Sequence, residues 1–124
     1  MNYKILVIDG DRATLDQTCE GLAKRGFNVL KSSDWTTAAQ ELAADGAIHA
    51  VLTEWRVPLN SMSSISSGEK FFEGKELFSA IERMRYEVNI FLLSTEKDPC
   101  RLNAGGLING YFDKSERNYG EIAA

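Results

Sequence analysis

Residue types that bind transition metals or form disulfide bonds are scarce in this sequence, which has two cysteines and one histidine among 124 residues. Cys19 and Cys100 are far apart, and neither has a second thiol or a histidine at the spacing of a metal site. We therefore expect neither a zinc site nor a disulfide bond, and we predict that both thiols are reduced structural side chains. His49 is expected at the start of a strand, as a surface or capping residue.

A run of basic residues is also missing. The 14 Lys and Arg residues are mixed with 18 Asp and Glu residues, and the formal net charge is -4. A domain that binds nucleic acid normally carries clustered positive charge that neutralises phosphates. We therefore expect no nucleic-acid partner for this chain.

Long apolar segments are absent as well. The longest apolar runs have the length of a strand, and the N-terminus lacks a basic segment followed by a long apolar one. A membrane-spanning helix needs about 20 apolar residues, and a secretory signal peptide needs both of those N-terminal features. The sequence predicts neither, so we expect no membrane partner and a cytoplasmic location.

The length and composition suit one globular domain. With 124 residues, 44% of them hydrophobic, the chain can bury a core of its own. No second domain fits, so residues 1–124 are predicted to form a single domain.

Short apolar segments alternate with segments of helical periodicity, which predicts a parallel sheet covered by helices on both faces. The expected fold is α/β and flavodoxin-like, a doubly wound five-stranded parallel sheet with strand order 2-1-3-4-5. The predicted strands are Ile5 to Ile8, Phe27 to Leu30, Ala50 to Thr53, Asn89 to Ser94, and a last strand from Gly110 that ends in Lys114.

Apolar residues at helical spacing predict three helices between these strands. Asp11 is expected to cap the first helix and Gly26 to end it, while Ser33 or Asp34 caps the second and Gly46 ends it. The third helix is expected from Lys75 to about Arg85. The residues predicted to face the core are Leu15, Cys19 and Leu22 in the first helix, Trp35, Ala38 and Leu42 in the second, and Leu77, Ile81 and Met84 in the third.

Three segments depart from the regular alternation. Residues 56–74 are long and polar, which predicts an exposed loop or, as an alternative, a lid or docking segment anchored by Phe71 and Phe72. Pro99 and the glycines after it predict a degraded fourth helix of a turn or two. The ten residues after Lys114 predict a truncated fifth helix, or a chain cut from something larger.

A truncated closing helix would leave apolar surface near Phe112 and Ile122 uncovered. Such surfaces are usually covered by a partner. We therefore expect a protein partner or further domains of a larger chain, and a possible homodimer that forms through the fourth helix and the last strand.

Polar side chains that could carry chemistry follow the strand ends, which parallel strands bring to one edge of the sheet. Asp9 and Asp11 follow the first strand, Glu54 follows the third, Ser94 ends the fourth, and Lys114 ends the fifth. This ordered set of acid pair, central acid, hydroxyl and lysine resembles the receiver domain of two-component response regulators across nearly the whole chain. The resemblance implies a signalling domain in which the central acid takes a phosphoryl group beside magnesium.

Two positions depart from the receiver pattern. Glu54 stands in place of the acceptor aspartate, and its extra methylene moves the carboxylate about 1.5 Å further into the pocket. Gly10 stands in place of one acid of the pair, which leaves Asp9, Asp11 and Glu54 as the possible metal ligands. Since magnesium requires near-octahedral oxygen ligands, we predict a weak or absent magnesium site, no other cofactor, and no conventional phosphorylation.

Three further positions match the receiver pattern. By the resemblance, Ser94 is equivalent to the switch hydroxyl, Tyr111 to the rotating aromatic residue, and Lys114 to the phosphate-binding lysine. Structural roles remain open for each of them: Lys114 could pair with Glu54 or Asp9, Ser94 could hydrogen-bond at its strand end, and Tyr111 could pack in the core.

A second resemblance overlaps the first. Ala50-Val51-Leu52-Thr53-Glu54-Trp55, the run from Val88 to Glu96, and Asn109-Gly110-Tyr111-Phe112 are similar to segments of the receiver-like N-terminal domain of bacterial ornithine, lysine and arginine decarboxylases. That family also lacks the phosphorylation set. The resemblance implies a role in assembly or regulation, because the pyridoxal phosphate chemistry belongs to later domains.

The preferred interpretation is a non-catalytic, receiver-like signalling or regulatory domain that is not phosphorylated in the usual way. The first alternative is the N-terminal regulatory or assembly domain of a pyridoxal-phosphate-dependent decarboxylase. The second is a true response regulator that is phosphorylated weakly.

Overall fold

The computed structural model describes residues 3–60, 71–85, 87–94 and 110–113. Seven strands and three helices lie within these ranges. In chain order they are β1 Lys4–Ile8, α1 Arg12–Lys24, β2 Asn28–Ser32, α2 Trp35–Ala44, β3 Ala50–Thr53, β4 Arg56–Pro58, β5 Phe71–Glu73, α3 Gly74–Met84, β6 Asn89–Ser94 and β7 Gly110–Asp113.

Five of the strands form one parallel sheet in the order β2-β1-β3-β6-β7. All four neighbouring pairs are parallel. Counted over these five strands alone, the order is 2-1-3-4-5. The predicted flavodoxin-like α/β fold is therefore confirmed. It could be predicted because the alternation of strands and helices limits the connections that the chain can make.

The sheet is apolar on both faces because helices cover both. Leu6 and Ile8 of β1 lie in a cluster with residues of α2 and α3. Ile5 and Val7, whose side chains point to the opposite face, pack with Leu15 of α1 and its neighbours. The central strand β3 is buried along its whole length. Each fully buried aliphatic side chain of this kind stabilises the fold by about 1.5–3 kcal/mol.

The predicted helix boundaries agree with the capping residues that the structure contains. The Asp11 side chain accepts a hydrogen bond from Ala13 N at the start of α1. At the start of α2, Asp34 rather than Ser33 is the N-cap, and its Oδ1 accepts from Thr37 N at 2.7 Å. Gly26 follows the end of α1 with a φ of 94°, a conformation that residues with a Cβ rarely adopt.

Two details of the predicted elements are wrong. Strand β2 runs over Asn28–Ser32 rather than Phe27 to Leu30, because its pairing with β1 continues to the Ile8–Ser32 pair. In α3, Met84 is 39% exposed although it was expected to face the core, while Phe78 is fully buried. Met84 is the last residue of its helix, where little of the core remains to be covered.

Segment 56–74 is not simply a loop. Strands β4 and β5 form a separate antiparallel ribbon in which Arg56 pairs with Glu73 and Pro58 with Phe71. The Arg56 guanidinium lies over the Phe71 ring, 3.8 Å from its centroid, a contact that stabilises exposed sites by about 0.5–1 kcal/mol. The sequence did not predict these two strands, because each has only three residues and many polar residues separate them, so the strand signal was too weak.

An arginine fastens the end of α2 at the edge of the sheet opposite the acids. The Arg85 guanidinium donates to four backbone carbonyls, with a 2.7 Å bond to Asp45 O and a 3.0 Å bond to Gly46 O. Glu87 also pairs with it. These bonds satisfy carbonyl groups that have no partner within a helix.

The predictions for the degraded fourth helix and the truncated fifth helix fall on residues 95–109 and 114–124, outside the described residues. Within the ranges that the structure covers, no helix is long and apolar enough to cross a membrane.

Candidate functional site

The carboxyl ends of β1 and β3 bring two acidic residues to the same edge of the sheet. Ile8 pairs with Thr53, the last residues of the two strands, and Glu54 N donates to Ile8 O at 3.1 Å. Asp9 and Glu54 therefore emerge together at the edge of the sheet. In open parallel sheets of this order, ligand sites lie in the crevice at this edge.

Asp9 is held inside the protein, with 1% of its surface exposed. Its Oδ1 accepts from Asp11 N at 2.9 Å, and its own N–H donates to Ser32 O at 3.1 Å. These two bonds fix the turn from β1 into α1. Glu54 is half-buried, and the carbonyl of that residue accepts from Thr53 Oγ1 at 3.0 Å.

Asp11 caps the start of α1 through its side chain. Its Oδ1 accepts from Ala13 N at 3.1 Å, and its Oδ2 accepts from Thr14 Oγ1 at 2.9 Å. A side chain that caps a helix in this way satisfies backbone donors that would otherwise have no partner. Its carboxylate is therefore directed along the first turn of α1.

Gly10 lies against the ring of Pro58. A Cβ added at Gly10 would be 2.7 Å from Pro58 Cδ and 2.9 Å from Pro58 Cγ. The proline ring is tied to its own backbone, so it cannot move aside as a flexible side chain would. Any residue larger than glycine at position 10 therefore requires the 56–58 strand to shift.

The strand that carries Pro58 is fixed at several points. Leu59 O accepts from both the backbone N and the Oγ1 of Thr36, at 3.1 and 2.7 Å. Trp55 packs edge-on against Phe78 of α3, with ring centroids 5.8 Å apart, and Val57 is fully buried. Residues 55–59 are therefore held in place by these contacts and form one wall of the crevice.

Comparison with solved structures places this arrangement among known folds. The receiver domain of the stress response regulator RcsB from Escherichia coli, in non-phosphorylated form, superposes with a TM-score of 0.79 and 20% identity over 100% of this chain and 90% of that one. Chemotaxis response regulator CheY4 of Vibrio cholerae superposes with a TM-score of 0.75 and 15% identity, over 99% of this chain and 98% of that one.

The chain has the receiver-domain fold. RcsB of Salmonella typhimurium superposes as well, with a TM-score of 0.77 and 20% identity over 99% of this chain, which spans 57% of the length of that protein. No protein-family model and no curated protein sequence matches the chain.

The described acids at this edge of the sheet do not gather into one set of metal ligands. The described residues include no group of three His, Cys, Asp or Glu side chains close enough to ligate one ion together. Asp11 is occupied by the helix cap, and the Pro58 ring excludes any side chain at Gly10. The predicted ligands Asp9, Asp11 and Glu54 are thus neighbours in sequence and topology without forming a joint oxygen cage.

The structure describes the three predicted switch residues only in part. The structure describes the backbone of Ser94 at the end of β6 and of Tyr111 in β7, but not their side chains, and Lys114 lies outside the described residues. Pairing of Leu92 with Tyr111 and of Ser94 with Asp113 confirms that β6 and β7 end at the same edge as β3. The roles predicted for all three residues remain predictions.

His49 and Cys19, which the sequence analysis considered as possible metal-binding or reactive side chains, lie away from the crevice. His49 is exposed at the opposite edge, where its Nδ1 accepts from Lys4 N at 3.0 Å and its ring stacks on Tyr3. Cys19 is half-buried in α1, and burial raises the pKa of its thiol to about 11. This agrees with the predicted structural role of Cys19, while Cys100 lies outside the described residues.

Sequence reasoning missed the contribution of Thr36, Pro58 and Leu59 to the crevice wall. The spacing of Pro58 four residues after the strand-end acid was visible, but its contact with Gly10 depends on how β4 pairs with β5. A glycine directly between two aspartates was the available signal, since such a glycine often marks a close backbone approach.

Proposed function

We propose that the chain is a non-catalytic, receiver-like signalling or regulatory domain that does not undergo conventional phosphotransfer. The contact between Gly10 and Pro58 carries this proposal, because a second acid of the metal site has no space there. Without that acid, and with Asp11 engaged at the cap of α1, the crevice offers fewer carboxylate ligands than a working receiver, which disfavours the near-octahedral set of oxygens that magnesium requires.

Glu54 supports the same proposal at the acceptor position. Phosphoryl transfer depends almost wholly on positioning and charge stabilisation, so a carboxylate about 1.5 Å out of place and without its metal is a poor acceptor. We infer that Glu54 instead supplies a permanent negative charge at the point where a receiver gains a phosphoryl group. A carboxylate has less charge and fewer acceptor oxygens, so it would mimic the phosphorylated state only partially.

Phosphodonor labelling tests the proposal. The intact mass of the protein is measured after incubation with magnesium and acetyl phosphate, with Glu54→Gln as the matched control. We expect no added phosphoryl group on either protein. A stable phosphoryl adduct on the wild-type chain that Glu54→Gln abolishes would overturn the proposal and favour a weakly phosphorylated response regulator.

A repaired crevice provides the positive arm of the same experiment. Glu54→Asp with Gly10→Asp restores both acids, and Pro58→Ala removes the ring that occupies the space of the new side chain. We expect labelling of the triple variant and little or none of the double variant. If the folded triple variant also fails to label, the crevice differs from a working receiver at more than these three positions.

The output of such a domain would be a contact with protein. We propose that it acts through a protein partner or further domains of a larger chain, in the cytoplasm and without nucleic acid. A homodimer through the fourth helix and last strand belongs to the same proposal. Sedimentation at rising concentration tests the homodimer, and a monomer throughout would exclude it.

The decarboxylase-type alternative remains a prediction from sequence. It differs from the preferred function in its partner, which would be a pyridoxal-phosphate-dependent catalytic domain on the same chain. The coding sequence beyond Ala124 distinguishes the two.

A further inference from the structure

A histidine side chain joins the first strand of the sheet to the segment before β3. The Nδ1 atom of His49 accepts a hydrogen bond from Lys4 N at 3.0 Å, and His49 N donates to Lys4 O at 2.9 Å. On the other side, the uncharged Asn89 of β6 donates from its backbone N to His49 O at 3.2 Å. In a parallel ladder, an N–H such as that of Lys4 donates to a backbone carbonyl of the neighbouring strand. Strand β3 begins only at Ala50, so the imidazole takes the place of that carbonyl.

This bond requires the neutral form of the imidazole. A neutral ring has one nitrogen that donates and one that accepts, whereas both nitrogens of an imidazolium are donors. The contact with Lys4 N therefore assigns the proton of the neutral ring to Nε2. Protonation at Nδ1 places two donors opposite each other and breaks the bond. Stacking on Tyr3, with ring centroids 4.7 Å apart, is open to both forms of the ring.

The charged groups around this contact are paired with one another. Lys4 Nζ lies 2.6 Å from Asp45 Oδ2, and Arg85 pairs with Glu87. The hydrogen bond from each cation holds the pKa of its carboxyl group below its usual range, so both pairs stay ionised where an imidazole takes up a proton. The other titratable group beside the ring is the phenol of Tyr3, a group type that is neutral at these pH values. Both of these carboxylates therefore have a cation partner, which leaves neither to favour an imidazolium.

We propose that His49 is a proton-sensitive latch. The neutral ring holds the start of β1 against the segment that leads into β3, and protonation releases it. The stabilisation is complete well above about pH 6.5, where an ordinary imidazole is neutral, and decreases as the pH falls below that value. The release is local, because the rest of β1 keeps its pairing with β2 and β3. His49 lies at the edge opposite the crevice, so the latch does not depend on the function proposed for the crevice.

Spectra of the imidazole nitrogens and of the backbone amides in the full chain test the latch. His49 is the only histidine in the sequence, so its ring signals are assigned without ambiguity. At pH 7.5 we expect Nδ1 to be unprotonated and Nε2 to carry the proton. Between pH 7.5 and 5.5 the Lys4 amide should shift with the same midpoint as the ring. The amide of Leu6, two residues further along β1, is the internal control and should stay nearly unchanged.

Two substitutions separate the hydrogen bond from the stacking. His49→Asn keeps an acceptor oxygen at the position of Nδ1 but cannot be protonated, and His49→Phe keeps an aromatic ring beside Tyr3 but has no acceptor. At pH 5.5 the Lys4 amide should exchange with solvent about fivefold faster in the wild type than in His49→Asn, the equivalent of one hydrogen bond. At pH 7.5 the two should exchange alike. In His49→Phe the exchange should be the faster one at both pH values.

Two results would overturn the proposal. One is a neutral ring that carries its proton on Nδ1 at pH 7.5, because such a ring cannot accept from Lys4 N. The other is a ratio of Lys4 exchange rates between the wild type and His49→Asn that is the same at pH 7.5 and 5.5, since protonation would then have no effect on the start of β1.

Discussion

The identity of single residues explains why this receiver fold is expected to lack the chemistry of a working receiver. At Gly10 there is no room for a side chain, because the Pro58 ring occupies the adjoining space. Asp11 keeps the residue type of a metal ligand but is occupied at the start of α1. One carboxylate is therefore missing and another is directed elsewhere, although the order of acids along the chain looks nearly intact.

Gly10→Ala tests the contact with Pro58. The added Cβ lies within 3.0 Å of two ring carbons, and overpacking of this kind lowers the free energy of unfolding by about 1–3 kcal/mol. Gly46→Ala is the matched control: apart from its chain neighbours, no atom of the described residues lies within 4 Å of a Cβ added there, so stability should stay the same or rise by about 0.4–1 kcal/mol. Urea unfolding measures both.

The double variant Gly10→Ala with Pro58→Ala assigns the cause of that loss. If the ring is responsible, its removal should recover most of the destabilisation, and the two substitutions should not be additive. Additive losses would mean that Gly10 is required for some reason other than Pro58.

Cys19 is predicted to be an unreactive thiol at neutral pH. Burial raises its pKa from 9.0 to about 11, so at pH 8 the folded protein should form the thiolate about 100-fold less than the unfolded chain does. Alkylation by iodoacetamide, measured in a Cys100→Ser background, should keep accelerating up to about pH 11. A rate that levels off near pH 9 would contradict this.

The same shift has a defined sign for stability. The folded pKa of Cys19 lies above its ordinary value, so the folded state binds the proton more tightly than the unfolded state. The resulting stabilisation is complete below pH 9 and decreases as the pH rises toward about 11.

At the scale of elements, the sequence predicted what periodicity and capping determine and missed what distant contacts determine. Burial of Leu15 and Leu22 on α1 followed from helical spacing alone. The β4–β5 ribbon did not, because a three-residue strand has almost no periodicity and exists only through its partner. Met84 shows the same limit, since position along a helix decides burial as much as angular position does.

Arg85 offers a test of one such contact. Its side chain is 13% exposed and holds four carbonyls at and just beyond the end of α2. Arg85→Met should lower the free energy of unfolding by about 2–3 kcal/mol, as expected for hydrogen bonds from a charged donor. The control is Arg83→Met: among the described residues, the Arg83 guanidinium makes one bond, of 3.4 Å, to Ser79 O in its own helix. This substitution should change the free energy of unfolding by about 0.5 kcal/mol or less. Equal losses in urea unfolding would contradict this role of Arg85.

At the scale of the whole molecule, strand order brings the candidate residues together and side-chain packing determines what they can do. The sheet order was predictable because alternating strands and helices permit few topologies. The arrangement of side chains in the crevice was not predictable. It depends on whether Asp11 faces a helix or an ion and on how closely Pro58 approaches Gly10. The presence of Glu54 and Gly10, where the receiver pattern has aspartates, indicated that the site differs from that of a working receiver. It did not show how the side chains of the crevice are arranged.

Magnesium titration of the wild-type protein tests the central claim most directly. With backbone amide shifts as the readout, we predict that Asp9, Gly10 and Glu54 respond no more than Glu20, an exposed acid on α1, up to about 20 mM magnesium. At that concentration a site whose binding free energy is weaker than about 1.4 kcal/mol remains mostly empty. Saturable shifts confined to Asp9, Gly10 and Glu54 would show that the crevice holds the metal despite Pro58, and would contradict the account.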